Sequence, residues 1–155
     1  MTKFPKLVSK YCNWVESLDS HTTFDLNDLL ILLSDLLKEA LLMPVPTGFT
    51  SETDLKQFSQ REWKKIHEKF SSLPFQYYRE VFDPHDFEDD ESVTGDLHED
   101  LADIYCDLKR SLLIYHKGFE DQAIFEWKWS FNYHWGEHIL SALRALFMFI
   151  RNKKD

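Results

Sequence analysis

Residues 126–144 hold three tryptophans, Trp127, Trp129 and Trp135, and two histidines four apart, His134 and His138, with no proline to interrupt them. Residues three, four and seven apart share a face of a helix. On that spacing Glu126, Ser130, Tyr133, Glu137, Ser141 and Arg144 form one stripe, and His134 and His138 lie at its edge beside Trp127 and Phe131. Polar and aromatic groups mixed in this way suit a half-wet boundary or a pocket wall. Trp127, Tyr133 and Trp135 are the candidate pocket wall. The whole C-terminal stretch, roughly 120–152, reads as one long helix.

The same periodicity predicts helices over residues 4–19 and 25–43, a short one through Trp63, Ile66, His67 and Phe70, and one from Thr94 or Gly95 to Gly118. Thr22 or Thr23 is expected to cap the second helix, whose leucines cover a wide arc and mark it as the central one. Ser59 and Glu62 have the spacing of a capping box. Only four glycines and five prolines occur, little material for hairpins or phosphate-cradling loops. Residues 73–84 are aromatic, proline-bounded and read as irregular. The expected fold is all-α, a single domain over residues 1–155 with about five helices, the last two forming a long antiparallel hairpin.

Two cysteines, Cys12 and Cys106, are too few for a disulfide scaffold and suit a reducing compartment. No apolar run approaches the roughly 20 residues that span a bilayer. These features point to a cytoplasmic protein with no membrane partner. Net charge is −9, and of the 27 acidic residues twelve fall in residues 80–107, which contain no Lys or Arg. Phosphate is repelled by such a region, so no nucleic-acid partner is expected; a cation or a basic protein surface fits it. The loop over residues 86–97 is not a calcium loop, because Glu91 stands at its sixth position and Leu97 at its twelfth.

Asp96, Asp100, Asp103 and Asp107 follow spacings of four, three and four, one side of the fourth helix. Four like charges in line need a partner or full exposure. Folding back at Gly118 sets Asp103 opposite His134, Asp100 opposite Glu137 and His138, and Asp107 opposite Ser130. Asp100, Asp103, His134 and His138 are therefore a candidate site for a divalent transition metal, since the i, i+4 histidines can meet one ion. The competing reading is a polar network that orients the two helices, drawing in Asp107, Glu126, Ser130, Glu137 and Arg144. Metal-free acid–base catalysis would use the same pairs. Cys106 faces no base and reads as packing.

The segments 100–109 and 126–146, with Tyr78 to Pro84 before them, resemble a bacterial family described as domain of unknown function 5063. The resemblance covers the second half of the chain and implies a small helical bacterial protein, with no activity attached. The charge split then favours a small cytosolic binding or regulatory protein whose acidic region, residues 80–107, docks a basic partner. The alternative is a metal-dependent enzyme with an Asp/His site between the last two helices.

Overall fold

The computed structural model describes residues 3–47 and 51–153. Gly48 and Lys154, expected to help end the second helix and to offset the dipole of the last, lie outside the described residues. Helix α1 (Lys3–Ser17) buries Phe4, Val8, Tyr11, Cys12 and Val15, positions that share one helical face. Helix α2 (Leu26–Leu42) is capped by Asp25, whose carboxylate accepts from the Asp28 amide at 3.0 Å; the threonines expected there stand too early in the chain. Helix α3 (Gln60–Glu68) opens on the expected capping box of Ser59 and Glu62.

The centre is α4 (Leu97–His116), not α2. Helix α4 packs against α1, α3 and both parts of the last helix. Helix α2 packs mainly against α1 and α6 and leaves Ile31, Leu41 and Leu42 exposed. At Gly118 the backbone turns at φ 96°, a conformation glycine tolerates, and the chain reverses. Helix α5 (Glu120–Ser130), a π turn (Phe131–Trp135) and α6 (Gly136–Asn152) follow as one continuous rod beside α4. Counted so, the described residues form five helices.

The fold is mostly helical without being all-α. Strand β1 (Tyr77–Glu80) pairs antiparallel with β2 (Val93–Asp96), with Tyr78 opposite Gly95. The segment expected to be irregular thus contributes a strand, which the sparse turn residues of its connection concealed. Asp96 ends β2 and caps α4, its Oδ1 accepting from the His98 and Glu99 amides at 2.9 and 3.2 Å. No helix among the described residues is long and apolar enough to cross a membrane.

Candidate metal centre

The acidic face of α4 and the histidine face of the last helix meet. Nδ1 of His134 lies 2.6 Å from Oδ2 of Asp107, and Nδ1 of His138 lies 2.7 Å from Oδ1 of Asp100. Both carboxylates are buried. Contacts this short are charge-assisted hydrogen bonds. They fix each imidazole ring and leave both Nε2 atoms near one oxygen, Oδ2 of Asp103, at 3.8 Å from His134 and 3.2 Å from His138. The two rings stand edge to face with centroids 4.8 Å apart.

Each outer carboxylate is itself held. The Tyr78 hydroxyl donates to Oδ2 of Asp100. Arg110 pairs with the other oxygen of Asp107 at 3.4 Å. Oδ1 of Asp103 accepts the indole N–H of Trp63 at 2.6 Å, so its second oxygen is the one turned to the histidines. Tyr78 reaches Asp100 because Gly95 has no side chain: a Cβ there would sit 2.3 Å from the phenol ring. The sheet is joined to α6 as well, where the Ser141 hydroxyl donates to Glu80 at 2.8 Å.

The π turn positions His134. Gly136 bonds its N–H to the Phe131 carbonyl, five residues back, and a Cβ on Gly136 would meet that oxygen at 2.3 Å. The Trp127 carbonyl, which accepts the Phe131 N–H, also accepts the indole N–H of Trp135 at 3.1 Å. Single π turns inside α-helices recur at functional sites because the extra residue rephases the downstream helical face.

The electrostatics match the geometry. The Asp107 hydrogen bond holds the His134 imidazole above its usual pKa against the cost of partial burial. Burial opposes charge on His138, but Asp100 and then Asp103 outweigh it and raise that group too. Without an ion, both rings hold a proton more tightly than a free imidazole does.

Of the residues singled out from the sequence, Asp103, His134 and His138 converge on one point, and Asp100 lies behind His138. Asp107 meets His134 rather than Ser130. Helical side chains lean toward the N-terminal end of their helix, which carries His134 one step toward the Gly118 turn, while His138 keeps Asp100. Ser130 returns its hydroxyl to the Glu126 carbonyl at 2.7 Å, and the two residues line a cleft of about 240 Å³ beside His134 with Leu55, Arg110 and Trp129. Glu137 and Arg144 are exposed and hydrogen-bond to none of the cluster.

The expected pocket wall is corrected. Trp127 and Trp135 are fully buried core, Trp127 giving its indole N–H to the Leu108 carbonyl at 3.0 Å, and Tyr133 is 71% exposed against Trp129. Trp129 is the aromatic that faces the cleft. Sequence reasoning missed Tyr78 and Trp63, which arrive from segments whose path periodicity did not fix.

The chain belongs to the family described as domain of unknown function (DUF5063), whose model matches residues 1–151, well beyond the second half that carries the resemblance by eye. Among solved structures it is similar to the crystal structure of protein BF1032 from Bacteroides fragilis, with a TM-score of 0.79 and 19% identity over 99% of this chain and 93% of that one. That likeness shows the fold alone. No curated protein matches the chain.

Proposed function

We propose that this protein binds a divalent transition-metal ion through Asp103, His134 and His138, and that it works as a small metal-dependent enzyme. One observation carries the reading: Nε2 of His138 and Nε2 of His134 stand 3.2 and 3.8 Å from a single carboxylate oxygen. Ligands bonded to a tetrahedral ion at about 2.0–2.1 Å sit about 3.3 Å from one another. The observed separations bracket that edge, and 3.8 Å is too long for a hydrogen bond. A network built only to orient helices gains nothing from bringing two imidazole nitrogens close to one oxygen without hydrogen-bonding either.

The surroundings support the same reading. A buried carboxylate behind each imidazole is the usual outer partner of a metal-bound histidine. Two nitrogens and one oxygen suit zinc, manganese or iron(II). Three protein ligands, with His134 bordering a cleft, leave positions for water and substrate, the pattern of catalytic rather than structural sites. The ion would lower the pKa of a bound water and so supply a nucleophile. Asp107, Arg110 and Glu126 are the carboxylates and guanidinium lining the cleft. Chelator-stripped protein titrated with zinc, manganese and cobalt tests this: Asp103→Asn and His138→Gln each lower the affinity of this site more than about 100-fold, beyond what loss of an outer partner costs. Wild-type affinity in both variants, or no binding by the wild type, defeats the proposal.

A second reading rests on the connection between the strands. Phe82 and Phe87 are 82% and 92% exposed, among Asp83, Asp86, Glu88, Asp89, Asp90 and Glu91, all exposed. This surface suits a basic, partly apolar protein partner in a reducing cytosol, where the two buried free thiols are at home. Asp100 and Asp107 take no part in it, being committed to histidines. A lysine-rich amphipathic peptide should bind at low salt, weaken at high salt and lose affinity on Phe82→Ser/Phe87→Ser. Binding indifferent to the phenylalanines counts against it.

A further inference from the structure

A second group of metal-ligating side chains lies where α3 meets the start of α4. His67, Asp96 and His98 each offer one ligand atom within 4.8 Å of the others. The His67 and His98 rings stand edge to face with centroids 5.6 Å apart. Nε2 of His67 is hydrogen-bonded with Oδ2 of Asp96 at 3.3 Å, a separation that also matches the ligand–ligand edge of a tetrahedral ion.

His98 makes the cluster informative. It is only 6% exposed, and its Nε2 has no hydrogen-bond partner. Buried polar atoms are rarely left so, and each one calls for an explanation. A neutral imidazole has one N–H and one lone pair; the Phe75 carbonyl, which hydrogen-bonds to the ring, takes the N–H. The unpartnered nitrogen then holds the lone pair, which is what an ion requires.

Asp96 is set for the same role. Capping α4 occupies its Oδ1 and fixes the carboxylate plane, so that Oδ2 faces His67 and the Gln76 side-chain amide, 3.1 Å away. Helix N-termini favour anions, but Asp96 with Glu99 and Asp100 in the first turn makes this one locally negative. Trp63 stacks on His67 with centroids 5.0 Å apart, holding the ring in place.

We infer that His67, Asp96 and His98 form a second site for a divalent transition metal such as zinc, one that ties α3 to α4. The inference does not rest on the first site. Its test uses the full chain carrying His134→Gln and His138→Gln, stripped with chelator and shown by circular dichroism to be folded, then titrated with zinc alone. One zinc should still bind, and adding His67→Gln, a half-buried position, should lower its affinity more than about 100-fold. Imidazole nitrogen NMR of the zinc-loaded form should show His98 bonded through Nε2. Absence of zinc binding by the folded double variant, an affinity unchanged by His67→Gln, or a His98 nitrogen spectrum that zinc leaves unmoved would each overturn it.

Discussion

Tyr78 lies directly across the strand pair from Gly95, its ring occupying the space a Cβ would fill, and that placement carries its hydroxyl to Asp100. A two-stranded sheet thereby sets the orientation of a histidine on a helix far along the chain. Gly95→Ala should displace the phenol and release Asp100. Tyr78→Phe removes the hydrogen bond alone. Both should weaken metal binding by about 10–100-fold, and Tyr78→Phe should lower unfolding free energy by about 1–3 kcal/mol. Isothermal titration and urea unfolding measure the two effects; unchanged zinc affinity in Tyr78→Phe would separate the sheet from the site.

The metal-free protein should lose stability as the solution turns alkaline. His134 and His138 have folded pKa values raised above the unfolded value of about 6.5. Their contribution is therefore complete below that value and disappears as pH rises through the folded pKa values. Urea midpoints in chelator should fall over that window, and His134→Gln/His138→Gln should flatten the profile. Zinc should invert the trend, since it competes with protons for the same nitrogens.

Trp127 and Tyr133 should behave oppositely despite their similar standing in the sequence. Trp127→Ala empties a fully buried site and removes the indole bond to the Leu108 carbonyl, a loss of about 3–5 kcal/mol. Tyr133→Ala, on the surface, should change stability by no more than about 0.5 kcal/mol. Thermal melts of the two variants suffice to check this.

Burial pushes the Cys12 and Cys106 thiols up to about 12. Neither should react with a thiol reagent at pH 8 until the protein unfolds, because the thiolate is the reactive form. Labelling rates in native buffer and in urea should differ by orders of magnitude; fast native labelling would point to local opening.

The helices were legible because their apolar residues repeat with the helical period, and the Gly118 reversal made α4 and the last helix neighbours. That was enough to bring Asp100 and Asp103 to His134 and His138. The pairings within the cluster were harder to read. Expected geometry put Asp107 opposite Ser130, but side-chain lean and the π turn gave it to His134. Tyr78 and Trp63 were invisible as site residues because their contacts depend on a strand pairing and a helix docking that no local pattern encodes. Trp127 and Trp135 were misread because an indole can satisfy its N–H inside the core, at Leu108 and Trp127 carbonyls, and then needs no water. Asp96 carries a signal that was available: an aspartate just before an apolar helical run, with histidines nearby.

The π turn has a consequence for the length of the chain. Because one surplus residue is stored between α5 and α6, removal of Asn132 would let the rod close into an uninterrupted α-helix with every backbone bond intact. The distal half would then swivel by about 100° and retreat about 1.5 Å against α4. Helix content would be conserved while His138 swung off Asp100 and Asp103. Such a deletant would look native by circular dichroism and fail to hold an ion at Asp103, His134 and His138, a phase error in an otherwise sound helix.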